Sequence, residues 1–182
     1  DKRGKEKQLP RTIKINKNFC RLIGYFLAEG YTNGRDNVGF CFNVEEREYV
    51  EDIKKVFKEE FNWGVFREYR REGSNGLELL IDSKQLCQLM DKLFFVKGQR
   101  KIAGYKKLPE WILSLDPKLQ KEVLLGWWRG DKGYTTSRLL INQFKIICLR
   151  LGIIPSIHVE TVQTHTHRGK YKIKNRIIKA NF

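Results

Sequence analysis

Two apolar stretches of the chain share one pattern, in which two small residues lie four positions apart and a carboxylate follows the second. The first stretch is 22–30, with Gly24, Ala28 and Glu29, and the second is 124–131, with Gly126, Gly130 and Asp131. Both are predicted to be helices because their apolar residues continue through successive turns. A carboxylate at a helix C-terminus lies against the partial negative charge of the unpaired carbonyls. Both acids therefore need a compensating partner.

The remaining pattern of the first half predicts strands and helices in alternation. Residues 38–42 alternate as a strand does, and 45–61 carry apolar residues at helical spacing. Residues 63–71 and 77–81 form a predicted hairpin around the polar, glycine-containing turn 73–76. Ser83 is placed to cap a further helix that runs to about Phe94. The predicted order is helix, strands, helix, hairpin, helix.

The second half predicts a shorter version of the same order. A helix is expected to begin within 108–112, where Pro109 occupies an early position. Only one short strand fits between Asp131 and Ser137. A helix over 138–151 ends at Gly152, and strands over 153–161 and 170–179 follow, joined around Gly169. Because the chain stops at Phe182, the final helix of a complete second half is expected to be missing.

The small residues indicate how the two apolar helices meet. Gly24 and Ala28 lie on one face of the first helix, as Gly126 and Gly130 do on the second. Such stripes let two backbones approach closely. Parallel packing along them would bring Glu29 and Asp131 together at one end of the seam, and a divalent cation would relieve that concentration of negative charge.

Composition narrows the class of partner. Among 182 residues, 36 Lys and Arg against 21 Asp and Glu give a net charge of +15, with a pI near 9.8. A surplus of this size favours a polyanion such as nucleic acid. No apolar run is long enough to span a membrane, and the charged N-terminus is not signal-like. The four cysteines form no CxxC pair, which favours a reduced, cytoplasmic protein.

The two motifs resemble those of the LAGLIDADG homing endonucleases. In the family's nine-residue motif the third residue is Gly, the seventh small, the eighth acidic and the ninth Gly, and 22–30 match all four positions. The second copy departs once, because Lys132 stands where the final Gly is expected and Gly133 follows. The resemblance implies an α+β fold of two αββαββ(α) pseudo-repeats about a pseudo-twofold axis. Their antiparallel sheets form a DNA-binding saddle, and the second repeat is abbreviated.

A second resemblance lies between the two motifs. Lys106-Lys107-Leu108-Pro109 is similar to the Lys-x-(Ile/Leu)-Pro block of intein-encoded members of the family, in which the lysine serves the active site. Lys106 takes this role by position, with Lys107 as the alternative. The implied function is site-specific cleavage of double-stranded DNA by a pseudo-symmetric monomer. The chain is then either a free-standing enzyme or a piece of a larger intein precursor.

The predicted site residues follow from these motifs and from the basic strands. Glu29, Asp131 and Lys106 are the predicted catalytic residues. Mg²⁺, or another divalent cation, is expected on the carboxylates of Glu29 and Asp131 and on the carbonyls of Ala28 and Gly130. The predicted DNA contacts are Arg67, Tyr69, Arg71, Lys132, Arg168, Lys170, Lys172, Lys174 and Arg176, which lie mostly on every second position of strands. Residues 1–18 form a basic arm, 19–107 the first repeat with its linker, and 108–182 the second repeat.

Three other interpretations stay open. His158, His165 and His167 are candidates for structural zinc, although the sequence offers no fourth ligand nearby. The arm and the basic strand faces could be merely solvated. A non-cleaving protein of the same fold could bind DNA, or intron RNA as a maturase. A basic scaffold protein would leave the paired motifs unexplained.

Overall fold

The structure is a computed structural model that describes residues 8–160 and 170–173. Its helices are α1 (Lys17–Glu29), α2 (Arg47–Phe61), α3 (Lys84–Phe94), α4 (Pro117–Asp131) and α5 (Arg138–Arg150). Its strands are β1 (Gly30–Thr32), β2 (Asn37–Asn43), β3 (Arg67–Arg70), β4 (Gly76–Asp82), β5 (Tyr134–Thr135), β6 (Ile157–Glu160) and β7 (Lys170–Ile173). Short 3₁₀ turns occupy Val44–Glu46, Ala103–Tyr105 and Glu110–Ser114.

The first half confirms the predicted order of elements. Its four strands form one antiparallel sheet in the order β1-β2-β4-β3, and α1, α2 and α3 complete an αββαββα unit. Along β2, Val38, Phe40 and Phe42 are buried in the core, while Gly39 and Cys41 point to the opposite face. Ser83 caps α3 as predicted, because its Oγ accepts a hydrogen bond of 3.2 Å from the backbone N–H of Leu86.

Helix α4 begins later than the sequence predicts. A 3₁₀ helix over Glu110–Ser114 matches the predicted helix start within 108–112, but it ends at Ser114, and α4 itself starts at Pro117. Asp116 caps the helix by accepting a hydrogen bond of 2.7 Å from the backbone N–H of Lys118. Pro117 suits the first helical position because its φ is fixed and it has no backbone N–H that would be left unpaired there. Asp116 and Pro117 therefore set the start of α4, rather than Pro109.

The second half has a smaller sheet. Three strands pair in the order β5-β7-β6, and the two-residue β5 pairs directly with β7. In the first sheet β2 lies between the corresponding strands, so within the described residues the second half lacks a counterpart of β2. This confirms that only one short strand fits after Asp131. Strand β6 begins at Ile157 rather than 153 because Ile153 still bonds the end of α5 and Pro155 has no N–H.

One hydrophobic core joins the two halves. Phe26 of α1 packs edge-on against Phe40 of β2, and Trp127 of α4 stacks on Phe144 of α5 with ring centroids 4.1 Å apart. Residues 9–13 of the predicted arm lie beside α3, where the backbone N–H of Leu9 donates to the Gln85 side chain at 3.0 Å. Residues 1–7 lie outside the described part. None of the described helices is long and apolar enough to cross a membrane.

Candidate active site

Helices α1 and α4 cross at two glycines. A Cβ on Gly24 would lie 2.6 Å from the backbone N of Trp127 and 2.8 Å from the Cα of Gly126, and closer still to the carbonyl O of Val123. A Cβ on Gly126 would lie 3.0 Å from the Cα of Gly24. The two backbones are therefore in direct contact, and no side chain fits between them.

The same seam ends at the two acidic residues. A Cβ on Gly130 would lie 2.5 Å from the Cβ of Ala28 and 2.9 Å from the Cγ of Glu29. The Glu29 side chain thus lies over Gly130, next to Asp131 at the last position of α4. Backbone packing alone brings the ends of the two motif helices, and with them both carboxylates, to one place.

The turns after the two motifs differ. Gly30 has an extended backbone, with φ −79° and ψ 149°. It is needed for space, because a Cβ there would lie 2.6 Å from the Cα of Phe26. After α4 the left-handed conformation falls on Lys132, with φ 51°, and on Gly133, with φ 88°. In the second motif Lys132, in place of the final glycine, therefore takes the left-handed conformation itself, and Gly133 continues the turn.

Lys106 is buried and caps the end of α1. Its Nζ donates to the carbonyl oxygens of Phe26 and Leu27 at 3.0 Å and to that of Ala28 at 3.2 Å. These carbonyls belong to the last turn of the helix, where the Phe26 carbonyl also accepts from the backbone N–H of Gly30, and carbonyls at a helix end otherwise lack partners within the helix. The cation also opposes the negative end of the helix dipole. Lys106 is thus one compensating partner that the sequence pattern required.

Burial governs the protonation of all three charged groups. Burial, and then the Glu29 carboxylate, raise the pKa of Asp131 to about 7, against the opposing effect of Lys106 and Lys132. Burial also raises the pKa of Glu29, although Lys106 lowers it. Burial lowers the pKa of Lys106 to about 8, while Asp131 and Glu29 favour its charged form. The three groups therefore form one electrostatic unit.

Two side chains of the second half, at the start of α5 and within it, hold the backbone around Lys106 in this position. Ser137, which caps α5, donates its hydroxyl to the carbonyl oxygen of Lys106 at 2.6 Å. The neighbouring residue Leu108 exchanges two hydrogen bonds of 2.8 Å with the side-chain amide of Gln143. Sequence reasoning missed Ser137 and Gln143 as supports of the lysine. Ser137 was recognisable as a helix cap, but nothing in the sequence indicates its long-range partner.

A charged network on the flank of the seam was also missed. Arg21 of α1 donates to Asp52 of α2 at 2.6 and 2.8 Å. The hydroxyl of Tyr25 donates to the same carboxylate at 2.9 Å and accepts from Arg129 of α4 at 2.9 Å. The network joins α1, α2 and α4 beside the motifs, and Arg129 lies two positions before Asp131. Its members lie on three separate elements, so no sequence spacing links them.

The predicted DNA-contacting residues of β3 lie on the outer face of the first sheet. Glu68 pairs with Lys54 of α2, so α2 covers the face opposite to that of Arg67 and Tyr69. Arg67 donates to Asp82 at 2.7 Å, and Arg71 pairs with Glu78 at 3.0 Å. Tyr69 is 43% exposed.

The other predicted contacts are only partly described. Lys132 donates to Glu46 at 3.0 Å next to the acidic pair. Lys170 and Lys172 lie on β7, and His158 lies on β6. Outside the described residues lie Arg168, Lys174, Arg176, His165 and His167. Within the described residues, no cluster of three or more His, Cys, Asp or Glu side chains could hold a metal ion.

Sequence comparison finds relatives that are much longer than this chain. An uncharacterised protein of Methanocaldococcus jannaschii is 41% identical over 148 residues, covering 81% of this chain and 18% of the relative. The DNA polymerase II large subunit of Thermococcus kodakarensis is 31% identical over 166 residues, covering 91% of this chain and 9% of the relative. The chain spans about a fifth or less of the length of these curated relatives. No family model matches it.

Structure comparison finds the fold of a homing endonuclease. The structure of mesophilic variants of I-DmoI superimposes with a TM-score of 0.63 at 13% identity, covering 91% of this chain and 93% of that one. The complex of I-DmoI with DNA and Ca gives a TM-score of 0.61 at 14% identity, covering 89% and 85%. The resemblance recognised from the two motifs is therefore confirmed at the level of the fold.

Proposed function

We propose that this chain, which has the fold of the LAGLIDADG homing endonuclease I-DmoI, is a site-specific endonuclease that cleaves double-stranded DNA. The observation that carries the proposal is the glycine seam, which brings Glu29 and Asp131 to one end of two packed helices. One acid from each motif lets a monomer act on both strands. The two pseudo-repeats would place their sheets as a saddle over the duplex.

The donor set at the seam fits a hard divalent cation such as Mg²⁺. Such an ion prefers oxygen ligands and is commonly held by one or two carboxylates together with substrate phosphates and waters. Glu29 and Asp131 would supply the carboxylates, and Ala28 and Gly130 the carbonyls. When bound there, the ion would neutralise charge on the scissile phosphate and acidify an attacking water. Burial disfavours both carboxylates in the charged form, so they gain from a cation.

Lys106 would act beside the metal ligands. Its Nζ holds the last carbonyls of α1 in place, including that of Ala28, and thereby fixes the helix end that carries Glu29. Its positive charge would also favour the extra negative charge that develops on a phosphate under attack. We therefore assign Lys106 as the catalytic lysine in preference to Lys107, because it is the Nζ of Lys106 that reaches the end of α1.

The partner is proposed to be duplex DNA. The I-DmoI structures that match this fold include complexes with DNA and divalent metal, and the net charge of +15 suits a polyanion. The exposed outer face of β3 would supply Arg67 and Tyr69 for contact with the duplex, and Arg71, directly after β3, would add a third contact. Lys132 and the basic residues around β7 would serve the second half.

A larger host protein is also proposed. The relatives include a DNA polymerase subunit and proteins of the SufBD iron–sulfur cluster assembly family, and the chain aligns with only a fraction of each. A mobile endonuclease inserted into unrelated host proteins would produce this distribution. The Lys-x-Leu-Pro block at Lys106 supports the intein-borne type.

A cleavage assay with Mg²⁺ tests the proposed activity. Plasmid DNA carrying randomised inserts would be incubated with the wild-type chain and with Glu29→Gln or Asp131→Asn, and cut ends would be recovered by linker ligation. Both substitutions remove a negative charge and keep the shape of the side chain, so we expect cutting to fall at least 100-fold with DNA binding retained. Glu110→Gln, on an exposed turn, is the matched control and should cut normally.

The outcomes separate the two function classes. If one of the two single-residue variants nicks the duplex instead of cutting both strands, each acid serves mainly one strand. If both variants cut at the wild-type rate, Glu29 and Asp131 are not the catalytic carboxylates. Binding by the wild type without cutting under any divalent metal would favour a non-cleaving DNA-binding protein or an intron-RNA maturase of this fold.

A further inference from the structure

A short basic loop joins the two halves immediately before Lys106. We call residues 96–105 the inter-repeat loop. Its base is closed by a backbone hydrogen bond of 3.0 Å from Val96 to Tyr105. An isolated antiparallel bridge between Phe95 and Lys106 continues the closure. The two ends of the loop are therefore held together, and the buried Lys106 lies at this base.

The charge of this loop is one-sided. Between Asp91 and Glu110 there is no acidic residue, while six cations occur: Lys92, Lys97, Arg100, Lys101, Lys106 and Lys107. Lys97 and Arg100 are exposed. Within residues 8–160 and the strand 170–173, neither forms an ion pair with a carboxylate. Their charges are free to meet an external anion.

The sheet face offers a contrast. Arg67 and Arg71 each pair with a carboxylate of β4 on their own face, at 2.7 and 3.0 Å. An anion that binds these two guanidiniums must compete with Asp82 and Glu78, whereas no carboxylate of the described residues pairs with Lys97 or Arg100 of the inter-repeat loop. Charge without an internal partner favours contact with phosphate, which needs only a cation and no base-edge geometry.

The loop also lies beside the candidate active site. Its last residue precedes Lys106, whose Nζ reaches the end of α1. A Cβ on Gly104 would lie 3.8 Å from the hydroxyl of Thr136, directly after β5. On the other side, the Nζ of Lys101 lies 3.5 Å from the carbonyl of Asp91, whose side chain bonds Thr32 at the end of β1. The loop thus spans from β1 to β5, the strands that follow the two motifs.

We propose that the inter-repeat loop is a DNA-backbone binding surface, in which Lys97 and Arg100 contact phosphates close to the site of cleavage. This inference rests on the proposed function, since it takes duplex DNA as the polyanion. It adds a contact surface distinct from the sheet face. Because the base of the loop carries Lys106, phosphate contact there would also hold the lysine against α1.

The test removes the two charges and measures the salt dependence of binding. The double variant Lys97→Gln, Arg100→Gln is compared with wild type. The control Lys55→Gln, Lys58→Gln removes two exposed cations from α2, on the opposite face of the sheet. Binding to a random-sequence duplex of about 40 base pairs, without divalent metal, is followed by fluorescence anisotropy between about 50 and 300 mM NaCl.

Each phosphate contact adds about 0.9 to the slope of log K against log[salt], so the loop variant should lower the slope by about 1.8. The control should leave the slope within about 0.5 of wild type, and both variants should keep the wild-type melting temperature. A loop variant with the wild-type slope would overturn the loop proposal while leaving the endonuclease proposal intact. A wild-type chain that does not bind duplex DNA at all would overturn both.

Discussion

The close approach of α1 to α4 at Gly24 makes Gly24→Ala a sharp test of the seam. The added Cβ would lie 2.6 Å from the backbone N of Trp127 and 2.8 Å from the Cα of Gly126, where ordinary contacts are 3.4–4 Å. Relief requires the helices to separate by about 1 Å, because the obstructing atoms belong to backbone, so we take the upper end of the usual cost of overpacking, about 3 kcal/mol. Alanine has a higher helix propensity than glycine, which offsets about 1 kcal/mol of this cost. We expect a net loss of about 2 kcal/mol.

The measurement is thermal and urea unfolding followed by circular dichroism. For a chain of this size, about 2 kcal/mol corresponds to a fall in melting temperature of about 4–8 °C. Gly64→Ala is the matched control, because no atom lies within 4 Å of its Cβ position and its φ is not in the left-handed region. That variant should be neutral or slightly stabilised. Gly24→Ala with wild-type stability would refute the close-packed seam.

Two further predictions concern the charged groups around the seam and the sheet. Burial raises the pKa of Asp52, but its hydrogen bond and charge interaction with Arg21 outweigh burial and hold the pKa below its usual value. The folded state then binds fewer protons, so this stabilisation is present above about pH 4 and is lost as the pH falls through the folded pKa. Asp52→Asn should lower the free energy of unfolding at pH 7 by about 1–3 kcal/mol, and this free energy should then fall less steeply as the pH is lowered. Urea unfolding at a series of acidic pH values measures this, and an unchanged pH dependence would contradict the prediction. Arg67→Ala should weaken duplex binding by about tenfold, while Arg70→Ala, on the other face of β3, should change it less than about twofold; equal losses would show that the outer face has no special role.

Local patterns were enough to predict the first half. The alternation of 38–42, the helical spacing of 45–61 and the cap at Ser83 each depend on a few neighbouring residues, and the structure has all three. The second half was harder to predict because its described residues lack a counterpart of β2. The sequence shows that only a short strand fits after Asp131, but not that this strand would pair directly with β7.

The contacts of the candidate site were less accessible to sequence reasoning. The resemblance singled out Lys106, yet its partners lie about 80 residues away at the end of α1, where three carbonyl oxygens accept hydrogen bonds from its Nζ. Gly30 occupies a glycine position of the motif, but the motif does not show why glycine is required there. Its backbone is extended, and the glycine is needed for space beside Phe26 rather than for a left-handed turn. Such causes depend on tertiary packing, which spacing cannot encode.

The charge balance at the seam explains why the acids can lie at the wrong ends of their helices. Lys106 offsets the carbonyls of one helix end and part of the negative charge of Glu29 and Asp131, but one positive charge cannot balance two carboxylates and two helix termini. Lys132 adds a second cation, yet its side chain is half-exposed and bonded to Glu46. The seam therefore keeps a negative surplus when both acids are ionised. Because backbone contact fixes both helix ends, separating those ends cannot relieve this surplus, which supports the proposed divalent cation as the group that would neutralise it.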